Sequence, residues 1–304
     1  MDPLEDVLAL LETRSHVSTG LLAGGEWAVR FSAPSGVKFN AVRRGSCLLE
    51  VEGGDRPLVL SAGDCYLLTR PRGFTLRSSA DAVPVDAGPV FAKAERGVAR
   101  VGDGEDVLLM GGRFSFGNRA QELLLDALPP VIHAPAATSQ AETVRWALTM
   151  IDQELLHQRM GSTLVAEHLA VVMLVHVLRL HLARHPRTVS GWLAGLADPV
   201  VAAALTAMHE QPAHPWTVAE LARCAAVSRS TLAARFKSTV GQGPLEYLTG
   251  WRLELASKRL REGGGTVATI ARDVGYGSES ALSTAFKRTM GMSPRDYRKQ
   301  LGPV

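Results

Sequence analysis

Cysteine is scarce in this chain of 304 residues, since only Cys47, Cys65 and Cys224 occur. Three scattered thiols are too few for a disulfide framework, and none belongs to the CxxC spacing typical of zinc sites. Histidine is absent from residues 17–132. The N-terminus carries acidic residues and no basic leader before an apolar run, unlike a secretory signal. These absences predict a protein of the reducing cytoplasm, with no metal and no cofactor.

Long apolar runs are scarce too. Only residues 164–182 approach the length of a membrane span, and charged or imidazole side chains interrupt them at Glu167, His168, His176, Arg179 and His181. We interpret this stretch as a helix of a soluble protein and expect no membrane association. The chain length favours at least two folded units.

Charge is distributed unevenly along the chain. From His214 onward there are 14 Lys and Arg against 7 Asp and Glu, whereas the preceding residues have 19 against 23. A basic C-terminal segment on a mildly acidic partner is typical of a polyanion-binding module, although a solvated helical surface would give the same balance.

Residues 24–113 contain short apolar runs separated by glycine, proline and acidic turns. This spacing predicts a barrel or sandwich of strands, and the runs are 27–31, 38–42, 47–51, 58–60, 65–69 and 74–77. The middle of the chain is helical in pattern. Ser139 and Glu142 form a capping box for a helix to about residue 157, and Ser162 begins a second helix that ends near residue 185. Asp198 and Pro199 predict a third helix start.

A repeat occupies the C-terminal segment. At an offset of fifty, nine of the twenty positions from Ser228 to Tyr247 are identical, which indicates a duplicated unit. In each copy a threonine, Thr217 or Thr266, caps a short helix, and after a turn a serine, Ser228 or Ser278, caps a second helix. Gly241 and Gly291 end these second helices. Helix, turn and capped helix form the helix-turn-helix plan, whose second helix enters the major groove of DNA.

The exposed face of each second helix predicts the contacts with DNA. Small and hydroxyl side chains near the bases permit close approach and hydrogen bonds to base edges, and the base-facing set is Arg229, Ser230, Ala233, Ala234, Glu279, Ser280, Ser283 and Thr284. Cations neutralise phosphates, and the phosphate-contacting set is Arg235, Lys237, Lys287, Arg288, Arg295 and Arg298.

The stretch from Ile270 to Arg288, followed by residues 291–298, resembles the signature of the AraC/XylS family of transcription regulators. Many members carry arginine where this sequence has Ala234 and Thr284, so the target sequence cannot be transferred from them. Residues 39–46 and 63–74 resemble the two strand motifs of a cupin sensor domain. Asn40 and Phe74 occupy histidine positions of enzymatic cupins, so we expect no enzyme. Trp27, Phe39, Asn40, Tyr66 and Phe74 are candidates for an effector pocket or for the core.

The resulting prediction is an α+β multidomain chain. Its parts are a cupin-like β-barrel sensor (1–118), a helical hairpin for dimerisation (119–189), a helix and linker (190–215) and an all-α tandem helix-turn-helix domain (216–304). We predict a cytoplasmic, homodimeric regulator that binds promoter DNA through helices at about 228–240 and 278–290, with RNA polymerase as partner and a small-molecule effector on the barrel. We describe it as an activator, although the sequence does not distinguish an activator from a repressor. The dimer contact is assigned to helices within 139–185, whose apolar faces packing within one chain would also cover.

Three alternatives remain open at this stage. The first is a redox or electrophile sensor that uses Cys47, Cys65 or both. The second is a metal-dependent cupin enzyme tethered to DNA, against which the missing histidines argue. The third is an adaptor whose helical units bind polymerase or another regulator without reading DNA.

Overall fold

The structure is a computed structural model that describes residues 3–10, 13–95, 97–116, 125, 127–138, 141–157, 159–184 and 191–300. The chain forms two compact units. We call residues 13–117 and 128–188 the barrel unit, and residues 1–12, 118–127 and 189–304 the helical unit. The first residues of the chain therefore belong with the last.

The chain begins with helix α1 (Pro3–Leu10) of the helical unit. The barrel unit follows, and its elements are β1 (Arg14–Gly24), β2 (Ala28–Phe31), β3 (Val37–Arg44), β4 (Ser46–Val51), β5 (Leu58–Ser61), β6 (Cys65–Leu68), β7 (Phe74–Arg77), β8 (Val85–Asp86), α2 (Ala87–Ala92), β9 (Val98–Gly102), β10 (Val107–Ser115), β11 (Val131–Ala134), α3 (Glu142–His157) and α4 (Ser162–Arg184). The helical unit resumes with α5 (Gly191–Gly195), α6 (Pro199–Glu210), α7 (Val218–Cys224), α8 (Arg229–Val240), α9 (Pro244–Arg261), α10 (Val267–Asp273), α11 (Glu279–Met290) and α12 (Pro294–Gln300).

Two sheets enclose the core of the barrel unit. Their strand orders are β11-β6-β3-β10-β1-β9 and β5-β4-β7-β2-β8. Because side chains alternate across a strand, one face of each sheet supplies the shared apolar interior. Buried members of that interior include Leu21, Trp27, Val42, Leu49, Tyr66, Phe74, Leu76 and Leu109.

The sequence pattern predicted part of this barrel. Each of the six predicted runs overlaps a strand, the runs 27–31 and 65–69 extend one residue beyond β2 and β6, and β7 has the predicted bounds of 74–77. Strand β1 precedes the predicted strand region of 24–113. Its Ser, His and Gly residues interrupt the alternation of apolar and polar residues that identifies a strand in a sequence. Strand β11 lies within 119–189, which the sequence pattern assigns to helices, and it pairs with β6. Ser139 of the predicted capping box lies outside the described residues, and α3 starts at Glu142.

Helix α4 confirms the prediction of a long apolar helix that starts at Ser162. Its length and composition would also suit a membrane span. Within the barrel unit it packs against α3, β1 and β11 and buries Ala170, Met173 and Val177 completely. Leu164, Val165 and Val172 of the same helix stay exposed. One side of α4 is therefore buried in the barrel unit, and apolar side chains remain exposed on the rest of its surface.

A buried polar cluster joins α1 to the rest of the helical unit. The carboxylate of Asp6 lies 3.2 Å from Nδ1 of His209 on α6, and Nε2 of His209 lies 2.8 Å from the hydroxyl of Tyr247 on α9. The His209 ring also stacks on Trp251, with ring centroids 4.1 Å apart. Burial raises the pKa of Tyr247, and the charge of Asp6 raises it further. The N-terminal helix is thus part of the core beneath the repeat.

Candidate nucleic-acid interface

The first helix-turn-helix unit is formed by α7 and α8, and local capping determines both helix starts. Thr217 and Glu220 satisfy each other's backbone amides in a capping box at the start of α7. The hydroxyl of Ser228 accepts a hydrogen bond from the amide of Thr231 at the start of α8. Gly241 ends α8 with a φ of 88°, a conformation that glycine adopts without strain. These features confirm the predicted start and end of each helix.

The second unit, formed by α10 and α11, repeats this arrangement. The hydroxyl of Thr266 accepts from the amide of Thr269, and that of Ser278 accepts from the amide of Ala281. Gly291 ends α11 with a φ of 78°. Helices α8 and α11, the second helices of the two units, therefore have the same length and matching ends.

The turns of the two units also correspond. Ala226 has a φ of 53°, and Gly275, its counterpart at an offset of 49, has a φ of 89°. A side chain is disfavoured in this left-handed region, so Ala226 holds strain that Gly275 avoids. The second turn also has no room for a side chain, since a Cβ on Gly275 would lie 2.7 Å from the backbone of Ala213. The extra residue of the second copy, Gly277, follows this turn.

The aromatic residues of the two units pack in the same way, but the hydroxyl groups of their tyrosines have different hydrogen-bond partners. Phe236 meets Tyr247 edge to face at 5.9 Å, and Phe286 meets Tyr297 edge to face at 5.4 Å. Both phenylalanines are completely buried. The hydroxyl of Tyr247 contacts His209, whereas that of Tyr297 accepts a 2.8 Å hydrogen bond from Ser257. The two units thus share a packing plan but are anchored to different neighbours.

The residues predicted to face DNA bases lie on the outer sides of α8 and α11. Leu232 and Leu282 are completely buried on the inner sides. Five of the predicted residues are exposed, namely Arg229, Ser230, Ala234, Ser280 and Thr284, and three are half-buried, namely Ala233, Glu279 and Ser283. Each helix therefore presents small or hydroxyl side chains outward.

The six predicted phosphate-contacting cations divide into two groups. The side chains of Lys237, Lys287 and Arg288 are exposed, and within the described part of the chain none of these three side chains forms a hydrogen bond or an ion pair. The other three are engaged: Arg235 with the carboxylate of Asp198 at 2.6 Å, Arg295 with that of Glu279 at 2.7 Å, and Arg298 with the carbonyl of Gly265 at 2.7 Å. The sequence pattern contained no signal for these three contacts, because each joins residues distant in the chain.

Asp198 is a residue whose second role the sequence did not reveal. It caps α6 by accepting from the amides of Val200 and Val201, and it also binds Arg235 of α8. Burial would raise the pKa of Asp198, but the hydrogen bonds from Arg235, Val201 and Val200 outweigh that effect, so the pKa lies below its usual value. The carboxylate of Asp198 thus joins α6, the helix before the repeat, to α8 of the first unit.

We expect Asp198→Ala to lower the free energy of unfolding by about 1–2 kcal/mol, since it removes a helix cap and a partly exposed ion pair. Asp198→Asn keeps an oxygen acceptor for the cap and should cost less than about 1 kcal/mol. Urea denaturation of both variants measures the difference. Equal losses would show that the cap contributes nothing beyond the charge.

The thiols of the barrel unit are poorly suited to redox sensing. Cys47 and Cys65 are both buried. Burial raises the pKa of Cys47 to about 12, and burial together with the charge of Asp64 raises the pKa of Cys65 to about 12. The reactive species is the thiolate, which is negligible at neutral pH for such thiols. The structure therefore does not support the redox alternative.

All five candidate effector-pocket residues are buried. Trp27, Phe39, Tyr66 and Phe74 lie in the core, and the side-chain amide of Asn40 donates a hydrogen bond to the hydroxyl of Tyr66. Asn40 lines a cavity of about 300 Å³ and Phe74 lines one of about 460 Å³. We call these two volumes together the Lys38 cavity, because both are lined by Phe31, Lys38 and Ala87.

Lys38 and Arg113 are two charged lining residues of this cavity that sequence reasoning missed. The available signal was a lysine at an inward position of an apolar strand, in line with Asn40 and Val42. Burial and the nearby charge of Arg113 lower the pKa of Lys38 from 10.5 to about 8.

We expect Lys38→Met to stabilise the folded protein by about 1–3 kcal/mol at pH 7, because one pKa unit corresponds to about 1.4 kcal/mol. Between pH 8 and 10.5 the unfolded chain holds a lysine proton that the folded chain has lost. Raising the pH through this window therefore stabilises the wild type. The advantage of the variant should shrink over the same range. Urea denaturation from pH 7 to 10.5 measures it, and a constant difference would contradict the assignment.

Comparison with known proteins assigns both parts of the chain. Residues 2–183 match the Cupin family model, and residues 221–300 match the Helix-turn-helix domain model. An AraC-like transcription regulator of Streptomyces lividans is 72% identical over 299 residues, which are 98% of each chain. The HTH-type transcriptional regulator AlkR of Acinetobacter baylyi is 31% identical over 283 residues, 91% of this chain and 92% of AlkR.

Among solved structures, the DNA-binding domain of AdpA in complex with a target DNA is 33% identical and matches 34% of this chain and 92% of that domain, with a TM-score of 0.33. The two family matches and the relatives along the whole chain agree with the repeat and its capping. The chain belongs to the AraC-like transcription regulators, a non-enzymatic family, and carries a cupin domain ahead of a DNA-binding helix-turn-helix domain.

Proposed function

We propose that each chain places α8 and α11 in successive major grooves of promoter DNA. The observation that carries this proposal is the close correspondence of serine capping, glycine helix ends and aromatic packing between the two units. Helix α9, with 18 residues, lies between the units and is about 27 Å long. One turn of DNA is about 34 Å. A helix of this length suits two units that read neighbouring grooves of one duplex.

Roles on the two helices follow from side-chain chemistry. The alanine and hydroxyl side chains at 230, 233, 234, 280, 283 and 284 approach thymine methyl groups and base edges. Lys237, Lys287 and Arg288 bind phosphates, since they are exposed and form no ion pair among the described residues. Arg235 and Arg295 contact phosphate after exchanging their present carboxylate partners for it. Arg298 has the weakest case, because it is half-buried and bound to Gly265.

The experiment is a binding titration of the full-length protein with duplex DNA from beside its own gene, against a scrambled duplex, over a salt series. We expect preference for the native duplex and a steep loss of affinity with salt, since phosphate contacts release counterions. Salt-insensitive binding, or no binding to either duplex, would contradict the proposal and favour an adaptor.

Homodimerisation through the helices within 139–185 is the second part of the proposal. Its support is apolar surface on these helices: Trp146 and Leu156 of α3 are exposed, as are Leu164, Val165 and Val172 of α4. Leu164 and Val172 are two helical turns apart and share one side of α4. We expect sedimentation to show a dimer that Leu164→Glu with Val172→Glu converts to a monomer. A monomeric wild type at micromolar concentration would contradict it.

The third part of the proposal is control of the protein by a small molecule that binds the cupin domain. The fourth part is that the protein acts in the cytoplasm and activates transcription through RNA polymerase. The Lys38 cavity, which lies in the barrel unit, supports an effector site. Transcription in vitro from the native promoter, with purified polymerase and this protein, tests activation. Transcript levels that fall on addition of the protein would show a repressor instead.

A further inference from the structure

The loop that leads into the first helix-turn-helix unit is held by an arginine of the helix between the two units. We call residues 211–216 the entry loop. Arg252 of α9 donates through Nε to the carbonyl of Pro212 at 2.6 Å and through Nη2 to the carbonyl of His214 at 2.7 Å. Because the guanidinium is planar and its donors are fixed relative to one another, two such bonds determine the orientation of the loop as well as its distance from α9. Burial lowers the pKa of Arg252, and the two carbonyls replace water as acceptors there.

The entry loop is closed on itself. The indole Nε1 of Trp216 donates to the carbonyl of Gln211 at 3.0 Å, and the amide of His214 donates to the same carbonyl at 3.1 Å. The rings of His214 and Trp216 meet edge to face at 4.4 Å. The loop is followed by Thr217, which caps α7, and α7 packs against α8. A displacement of the entry loop would therefore displace the start of the first unit.

The turn of the second unit contacts the same loop. A Cβ on Gly275 would lie 2.7 Å from the backbone of Ala213 and 2.9 Å from Cζ of Arg252. The amides of Gly275 and Tyr276 donate to carbonyls of α10, so this turn is fixed to the second unit. The entry loop, α9 and the second turn thus meet at one point, and we call the contact among Ala213, Arg252 and Gly275 the brace.

The two copies of the repeat differ at the brace for a steric reason. Ala226, the counterpart of Gly275 in the first turn, also has a positive φ, 53° against 89°. The first turn therefore shows that an alanine is tolerated in this conformation despite its strain. The feature that requires glycine in the second turn is the close approach of Ala213. The sequence of the second turn is thus adapted to contact with the entry loop.

We propose that Arg252 is a positioning residue for DNA binding, because by holding the entry loop against the second turn it sets the orientation of α8 relative to α11. Two binding elements on one chain act as a bivalent ligand, whose affinity depends on how well their separation matches that of the two sites. The brace therefore favours duplexes whose two contacted grooves have one fixed separation. This consequence for DNA rests on the two-groove binding proposed above, whereas the orientation of the two helices does not depend on DNA.

Distances between spin labels on α8 and α11 test the brace without DNA. The labels are attached at Ser238→Cys and Arg288→Cys, which are exposed positions that correspond at the offset of fifty. Cys224→Ser removes the exposed native thiol, and the other two cysteines are buried. The labelled full-length protein is diluted with unlabelled protein, so that only distances within one chain are measured.

Three variants of α9 are compared in this labelled protein. We expect a narrow distance distribution with Arg252 in place and a broader or shifted one in Arg252→Gln. Arg252→Lys should also broaden it, since lysine keeps the charge but lacks the planar pair of donors. Lys258→Gln removes a cation that pairs with Glu262 of the same helix and should leave the distribution unchanged. The same distribution in Arg252→Gln as in the parent protein would overturn the proposal.

A pair of glycine variants tests the brace independently of the arginine. Gly275→Ala forces the entry loop away from the second turn. Gly241→Ala is the matched control, because Gly241 has a φ of 88° and a Cβ there would meet nothing within 4 Å. Both variants have the same backbone strain, but only Gly275→Ala should shift or broaden the distances. Equal distributions in the two variants would overturn the role of the contact with Ala213.

Binding to an altered duplex shows whether the fixed orientation is used. Hydroxyl-radical footprinting of the wild type on duplex DNA from beside its own gene locates the protected grooves, and one base pair is then inserted between them. We expect the insertion to weaken wild-type binding roughly tenfold or more, since a rigid bivalent ligand no longer matches both sites. In Arg252→Gln the native duplex should bind more weakly and the insertion should cost much less. A variant that is merely less stable would lose affinity for both duplexes by the same factor.

The two proposals fail in different ways. A footprint that covers one groove, or none, would contradict two-groove binding, and the spin-label distances would still test the brace. Two protected grooves, with an insertion penalty as large in Arg252→Gln as in the wild type, would overturn the positioning role of Arg252 and leave two-groove binding in place.

Discussion

Phe286→Ala is expected to lower the free energy of unfolding of the helical unit by about 3–5 kcal/mol, the usual cost of removing a buried aromatic ring. Phe286 is completely buried, and it packs on Tyr297, which binds Ser257 of α9. The cavity would therefore loosen the contact between α11 and its neighbours. Specific DNA binding should be lost with it, and denaturation followed by a DNA titration measures both effects.

Two variants provide controls for this prediction. Phe236→Ala changes the matching position of the first unit, which is equally buried, and should cost a similar amount. Leu245→Ala changes an exposed leucine of α9 and should cost less than about 1 kcal/mol. A loss below about 1 kcal/mol for Phe286→Ala would show that the second unit does not depend on this packing.

Lys237→Gln combined with Lys287→Gln is expected to weaken DNA binding roughly 10- to 100-fold near physiological salt and to reduce the salt slope by about 2. The two lysines occupy the same position in the two recognition helices and are both exposed. Each is proposed to neutralise one phosphate, so the loss should be similar for the native and the scrambled duplex. Fluorescence anisotropy over a salt series measures the slope.

The control for the lysine pair is Lys93→Gln, which removes one exposed charge from the barrel unit and should leave the slope unchanged. A loss confined to the native duplex would mean that the lysines read bases rather than phosphates. An unchanged salt slope in the double variant would show that neither lysine contacts a DNA phosphate.

The helix-turn-helix repeat could be predicted because its determinants are local. The hydroxyls of Ser228 and Ser278 bond amides three residues away, and Gly241 and Gly291 end the helices through their own backbone conformation. Interactions of this range are encoded by spacing alone. The barrel was less predictable, since β1 lacks apolar alternation and β11 follows a long interval after β10.

Contacts between distant residues could be decided only by the tertiary structure. Nothing near Asp6 indicates that it meets His209, and nothing near Arg235 indicates that Asp198 binds it. The same holds for Lys38, whose cavity and neighbour Arg113 depend on the register of two strands far apart in the chain. Local chemistry in the sequence determined the helix ends and the repeated core of the DNA-binding domain. The fold decided which charges are paired, which are buried and which remain exposed, because these depend on what a side chain meets across the core.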